Sequence, residues 1–485
     1  MNSEPTVTPT QFTRVLGLRS AMAINMTQMC GIGPFVTIPL MVGAMGGPQA
    51  LFAWLLGAVL AMADGLVWAE LGAAMPGAGG SYLYLREAFQ YHTGRLMPFL
   101  FVWTILLAIP LVMSTGVIGM VQYLGYYFPA LKEPAAVPGM AAPELFTLVH
   151  LKVTAVSFAV VGLVVATLYR GIAAIGKLTD ALFAVMLLTV TIIIVACLTH
   201  FDPHLAFTFP PGAFRWQGAF WVGLGQGLIF AVYDYAGYNT TASIGEEIVN
   251  PGRVIPRSII YSILGIMAVY LLLNIGVMGV VPWEQVAAST SIGSLVMERT
   301  WGRGAALAFT ALVIVSGFAS IMMGLLGASR IPYTAARDGL FFAAFGQLHP
   351  RHRFPHLSLL VMGGITAVAS FFPLEQVINT LTAATVLVQG IAQIIALTIL
   401  RCRQPTLARP YRQTLYPLPS VLALLGWIFI YLKAGQPMIW LSLAWLSLGL
   451  IAFLIWARWV RTWPFGPIEI REAFLAKSPG PSESP

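Results

Sequence analysis

Apolar stretches of about 20 residues or more, the length an α-helix needs to cross a bilayer, recur along almost the whole chain. They are too long for the alternating strands of a membrane barrel. Inside lipid only helices and closed barrels satisfy their own backbone polar groups, so the pattern predicts an all-α polytopic membrane protein. Composition agrees: 58% of the 485 residues are hydrophobic and 9% are charged, against about 25% charged in ordinary soluble domains. Hydropathy marks about twelve transmembrane helices, with approximate limits 17–44, 48–75, 95–128, 145–169, 175–199, 216–245, 255–281, 304–333, 357–373, 376–400, 416–433 and 437–459. The N-terminus is polar up to Arg19 and the first apolar stretch has no cleavage site, so no removable signal peptide is expected. Cys30, Cys197 and Cys402 fall in or beside spans, which argues against a disulfide framework.

The net charge of +8 would suit a nucleic-acid binder, but its distribution says otherwise. With the N-terminus on the cytoplasmic side, twenty of the 26 Lys and Arg residues fall on that side and six on the other. This is the positive-inside bias, and it places both termini in the cytoplasm of a multi-pass protein of the cell (plasma or inner) membrane. The bilayer is therefore the expected macromolecular partner, and nucleic acid is not. No hydrophilic stretch is long enough for a second domain. The expected organisation is a cytoplasmic N-terminal segment (1–16), a transmembrane domain (17–463) and a cytoplasmic tail of disordered composition (464–485).

Two spans are interrupted. The segment Met22 to Met45 contains Gly31-Ile32-Gly33-Pro34-Phe35. Glycine removes the steric preference for helix, and Pro34 deletes a backbone donor. In the sixth span, Phe230-Ala-Val-Tyr233-Asp234-Tyr-Ala-Gly237-Tyr238-Asn239-Thr-Thr puts glycine and polar side chains at membrane depth. The two breaks are five helices apart, which is the pattern of a 5+5 inverted-repeat transporter with substrate at mid-membrane. Repeat one then covers about 17–199, repeat two about 216–400, and two peripheral helices about 416–459.

Four motifs carry a family resemblance. They are Gly31-x-Gly33-x-Phe35…Pro39; Glu70-Leu…Pro76-Gly-Ala-Gly79-Gly80-Ser-Tyr82; Gly245-Glu246-Glu247-Ile-Val-Asn250-Pro251-Gly-Arg253-Val-Ile-Pro256; and Ser329-Arg330…Ala336-Arg337-Asp338-Gly339…His349-Pro350…Pro355. In order and spacing they resemble the amino acid–polyamine–organocation (APC) superfamily of permeases. The resemblance implies ten core helices, two of them broken, and alternating access by rocking one bundle against a scaffold. It also implies a small amino acid or amine as substrate, moved by symport or exchange.

At the first break, free N–H groups and the positive end of a half-helix suit a carboxylate. The resemblance carries that role onto Gly31, Ile32 and Gly33, although Pro34 departs from the commoner aliphatic residue. At the second, carbonyls at the end of the inner half-helix would meet an ammonium group. Tyr233 aligns with an aromatic lid of relatives, and Gly237-Tyr238-Asn239 matches a Gly-Trp-Asn run in L-type transporters. Asn239 either bonds substrate or an adjacent helix. Asp234 is a costly intramembrane carboxylate, suited to a cationic amine or a proton, or else paired structurally. Relatives usually have a small or aliphatic residue there. Asp64 in the second span serves either a proton route or a structural bond.

Glu70, Glu246 and Glu247 are expected to form gate or loop ion pairs with Arg330 or Arg337. Where many relatives carry a fifth-helix Lys in place of a sodium ion, this chain has Met186. The coupling ion is thus a proton or sodium, with Ser316 and Ser320 as candidate sodium ligands one turn apart. No cofactor motif or catalytic constellation occurs. The expected function is a secondary active permease for amino acids or related organic cations. The alternative is a polyamine or di-cationic substrate held by Asp234. A non-transporting receptor or a membrane enzyme is remote.

Overall fold

The stretches that hydropathy marks are helical in the computed structural model, which describes residues 14–77, 79–132, 147–169, 175–350 and 354–465. The segments expected at 1–16 and 464–485 fall almost wholly outside the described residues. The first span is two helices, α1 (Leu18–Met29) and α2 (Gly33–Met45), bent by 51°. α3 (Ala50–Ala74), α4 (Ser81–Thr93), α5 (Leu96–Tyr127), α6 (Leu148–Tyr169) and α7 (Ile175–Thr199) follow. After the single turn α8 (Pro203–Ala206), the sixth span divides into α9 (Gly218–Tyr235) and α10 (Thr240–Ser243). Then come α11 (Pro251–Met278), α12 (Trp283–Ala287), α13 (Ile292–Ala328), α14 (Arg330–Arg337), α15 (His356–Ala369), α16 (Leu374–Thr385) and α17 (Ala392–Arg403). A π-helical stretch, Val386–Ile391, joins the last two. α18 (Leu418–Lys433) and α19 (Gln436–Trp459) close the described chain.

Among the described residues seven helical stretches are long and apolar enough to cross a membrane, and the bent α1–α2 pair makes an eighth. α15, α18 and the described part of α7 are shorter apolar helices. The packing partners come in matched pairs. α1 lies against α11 as α9 lies against α3, and α13 lies against α7 as α16 lies against α5. α3 meets α11, α5 meets α13, and α6 meets α15. Exchanging the first five spans for the second five maps each pairing onto another or onto itself, a pattern in keeping with two structural repeats. α19 is the least buried of the seven long apolar stretches. Trp440, Leu448 and Ile455 on it are exposed, as lipid-facing side chains are.

Two differences from the sequence reading matter for the site. The segment after α3, expected as a loop, contains α4, whose buried Tyr84, Leu85 and Ala88 recur at helical spacing. Its entry turn uses Gly79 and Gly80 at positive φ (104° and 51°). A Cβ on Gly80 would lie 2.6 Å from Ser243 Oγ, so glycine lets α4 dock on the end of α10. The eighth span is preceded by a short helical run from Ile292, which the sequence reading did not mark; Gly302 (φ 84°, ψ 177°) breaks the two apart just before the expected start at 304.

Candidate functional site

The first break exists because Cys30, Gly31 and Ile32 lie in neither helix and Pro34 occupies the first turn of α2. No side chain caps α2, and no backbone group within the described residues takes up the N–H of Gly31, Ile32 or Gly33. Three orphan donors therefore face the positive end of a helix dipole. At the second break α9 ends at Tyr235, and Gly237 takes φ +121°. A Cβ there would lie 2.8 Å from Gln28 Cβ, so only glycine lets the second break approach the first this closely. Among α9's last carbonyls, Tyr233 accepts from Ala236 N–H and Asp234 from the Tyr270 hydroxyl. Those of Tyr235 and Ala236 have no partner among the described residues.

The carbonyl end corrects one expectation. It belongs to α9, the first half of the sixth span, and α9 packs alongside α2. The N–H end of one half-helix and the carbonyl end of its neighbour thus meet at one level. Tyr270 on α11, which sequence reading did not single out, ties the two together. Its hydroxyl lies 2.6 Å from the Met29 carbonyl and 3.1 Å from that of Asp234, sharing one proton between the breaks. Tyr270→Phe should cost about 1–3 kcal/mol for the buried carbonyls left bare. A melting curve of the purified variant in detergent measures that loss directly.

Both breaks border one cavity of about 450 Å³. It reaches toward the face where α1 begins and α13 ends, with Gln28, Ser243, Gly327 and Ile331 on its wall. The opposite side is shut. Tyr233 Oη and Thr115 Oγ1 are 2.5 Å apart, joining α9 to α5. Ile32 and Val36 fit into a groove made by Gly116, Gly119 and Gly317, where a Cβ on Gly119 would come within 2.8 Å of Val36. Asn25 locks α1 to α10: its Oδ1 accepts from Thr241 N–H at 3.0 Å and its Nδ2 donates to Thr241 Oγ1 at 3.1 Å.

Asn239 lines the cavity, and among the described residues no side chain hydrogen-bonds to it. Asp234 is 2% exposed and turned toward α2, where Oδ2 bonds the Thr37 hydroxyl and Oδ1 has no partner. Asp64 is a buried acceptor: Tyr238 donates to Oδ2 at 2.6 Å and Trp427 Nε1 to Oδ1 at 3.0 Å. That bond brings α18, expected to be peripheral, to the cavity wall. Gly390 in the π-helical stretch makes room for the Trp427 indole, since a Cβ there would lie 3.1 Å from the ring.

The expected ion pairs are corrected. Glu70 pairs with Arg401, which donates from Nε at 2.8 Å and also from Nη2, and with Arg409 at 3.6 Å. It accepts the Gln413 N–H at 2.7 Å as well. The reason is packing: the end of α3 meets α17 and α18, not α14. Burial lowers the Arg409 guanidinium from its ordinary value, and Glu70 opposes that shift. Among the described residues no ion pair joins Glu246 or Glu247 to Arg330 or Arg337. α14 folds toward α4 and α5 instead, held by Tyr82–Asp338 (3.0 Å) and by Arg95 on the Gly339 carbonyl (3.1 Å). Burial, then Asp338, raises the Tyr82 phenol, so Tyr82 is the donor. Arg337 reaches Tyr333 at 3.3 Å, and the Glu247 carbonyl holds the N–H groups of Val15 and Leu16. Ser316 Oγ lies 3.5 Å from Thr189 on α7, while Ser320 borders the cavity beside Gly31. Met186, at the position of the absent Lys, is buried.

Two interrupted helices whose ends converge on one cavity inside a polytopic helical bundle define a membrane transporter of the permease type. The chain matches the amino acid permease family over residues 16–457 and belongs to it, within the APC superfamily. It is 26% identical to the branched-chain amino acid permease of Bacillus subtilis (strain 168), over 92% of this chain and 93% of that protein. It is 28% identical to the Asc-type amino acid transporter 1 of Homo sapiens, over 87% and 78%. With the serine/threonine exchanger of Bacillus subtilis (strain 168) it shares 25% identity, over 86% and 90%. The family and these relatives are transporters, not enzymes.

Proposed function

We propose that this chain is a secondary active transporter of zwitterionic amino acids with neutral side chains, working by alternating access. The observation that carries this reading is the convergence of the free N–H groups of Gly31, Ile32 and Gly33 with the carbonyl end of α9 on one cavity. A carboxylate fits the first and an ammonium the second. Gly237 keeps the two breaks together, Tyr233 closes the site from the far side, and the free Asn239 amide reaches the substrate. The rest of the wall is largely apolar, with Ile105, Val112, Met113 and Met323 from α5 and α13. No Lys, Arg or His borders it among the described residues, so an acidic side chain finds no partner. Asp64 has both oxygens engaged, and Asp234, which also borders the cavity, gives Oδ2 to Thr37 and keeps only Oδ1 free, so a second cation finds one carboxylate oxygen at most. Both points favour neutral amino acids over the polyamine alternative.

For transport, α1 and α10 move as one through Asn25, while α5 and α13 form the other wall. Opening the far side means parting Tyr233 from Thr115 and Ile32 from its glycine groove. The distribution of Lys and Arg favours the cell membrane with the cavity open to the cytoplasm, and one transmembrane domain over about 17–463. Counterflow in proteoliposomes across a panel of neutral, acidic and basic amino acids and polyamines tests the reading, with sodium replaced by choline in one arm. Neutral amino acids should exchange and spermidine should not. Exchange of polyamines alone would reverse the assignment, and a strict sodium requirement would make Ser316 and Ser320 the ion ligands to examine.

A further inference from the structure

Asp234 lies buried in the seam between α9 and α2, where an ionised carboxylate has one hydrogen-bond donor and one bare oxygen. Thr37 Oγ1 stands between two acceptors, the Gly33 carbonyl at 3.1 Å and Asp234 Oδ2. A hydroxyl has one proton to give. With Asp234 ionised, the carboxylate has that hydroxyl as its one hydrogen-bond donor among the described residues, and Oδ1 is buried with no partner; the Gly33 carbonyl keeps the Thr37 N–H inside α2 in either case. With Asp234 protonated, Oδ2–H donates a hydrogen bond to Thr37 Oγ1, whose own O–H donates to the Gly33 carbonyl. Every donor is then used, and no buried charge remains.

Among the described residues no cation pairs with Asp234 to compensate an ionised form. The ionisable groups beside Asp234 are Cys30 in the first break, Tyr233 and Tyr235 on α9, and Tyr270 on α11. α2 carries no ionisable residue. On the other helices against α9, Asp64 is bonded to Tyr238 and Trp427, and Glu70 to Arg401. Lys433 of α18 lies against Gly225, and Glu375 stands in the first turn of α16, beyond the Gln226–Asn379 contact. At 1.5 Å per residue, Gly225 is about 13 Å along α9 from Asp234.

The position matters as much as the protonation. A Cβ on Gly33 would collide with Asp234 Oδ1, so this carboxyl group abuts the same helix end that takes the substrate carboxylate. Two negative charges there repel, and a protonated Asp234 removes one of them. We propose that Asp234 is the proton-binding site of this transporter, loaded together with the substrate carboxylate at the N-terminus of α2. The proton passes between Oδ2 and water when the seam between α2 and α9 opens, and no other bond changes. Substrate and proton then favour one another's binding by the same factor. This rests on the amino acid reading above, and the experiment separates the two.

Wild-type proteoliposomes are compared with Asp234→Asn, using the neutral amino acid that gives the fastest counterflow. For one-to-one symport, acidifying the outside by one pH unit should raise the steady-state accumulation ratio up to about tenfold. Asp234→Asn, whatever its rate, should show a ratio near one and no pH dependence of KM. Thr37→Val should shift the pH dependence, and Thr37→Ser should restore it. The infrared spectrum should contain a carboxylic-acid band that Asp234→Asn removes, a readout that needs no flux. Failure of counterflow with every amino acid sinks the transport reading, and the infrared band still decides the proton. The inference is overturned if Asp234→Asn keeps the wild-type pH response, if Thr37→Val matches Thr37→Ser, or if the band survives the substitution.

Discussion

Glu70→Ala should be the most destabilising single substitution in the polar regions of this protein, lowering stability by about 3–5 kcal/mol. Glu70 is fully buried and anchors two guanidiniums and one backbone N–H. Removing it leaves Arg401 and Arg409 beside one another without a counter-charge, and the Gln413 N–H without an acceptor. Arg401 also lies 3.7 Å from the Tyr416 ring centre, so the loop from α17 to α18 is organised around this one carboxylate. The purified variant in detergent should melt well below wild type. Arg330→Ala and Glu246→Ala, which touch no such network, should fall within about 0.5 kcal/mol of it. Equal melting of all three would show that the cluster contributes nothing.

Gly237→Ala should reduce amino acid exchange by about 5- to 150-fold, the equivalent of 1–3 kcal/mol of strain at a position with φ +121°. The methyl group would also meet Gln28 Cβ at 2.8 Å and the backbone of Gln28 at 3.1 Å, so relief requires parting the two breaks. That separation pulls the carbonyl end of the site away from the N–H end, and an amino acid can no longer span both. Gly364→Ala on α15 is the control, because a Cβ there meets nothing within 4 Å. Initial rates of counterflow measure both variants. Wild-type rates for Gly237→Ala would remove the second break from the binding site.

Hydropathy located the helices because a lipid-facing helix repeats its chemistry along one dimension; the fifth span was expected at 175–199 and is helical over the same residues. The breaks were legible for a local reason, since glycine and proline act on their own backbone. α4 escaped notice because its amphipathic pattern is shorter and more polar than a span. The direction of Asp234, the two donors to Asp64 and the partners of Glu70 escaped for another reason. Each depends on which distant helix lies alongside, and the nearest of the Glu70 partners is 331 residues away in sequence. Tyr270 left no signal at all: an aromatic residue in an apolar helix reads as packing until a carbonyl is found at its hydroxyl.

The two carboxylates of α3 have a consequence for how the chain is made. Asp64 obtains its indole donor 363 residues later, and Glu70 its backbone donor 343 residues later. At about 5–20 residues per second, Trp427 is synthesised roughly 20–70 s after Asp64. Tyr238 follows Asp64 by only 174 residues, but until the end of that interval the second span carries two acidic groups whose sets of partners are incomplete. The bundle is therefore completed from its last quarter backward, and a ribosome that stalls before residue 427 leaves behind a protein whose second helix is still waiting in the membrane for its partner.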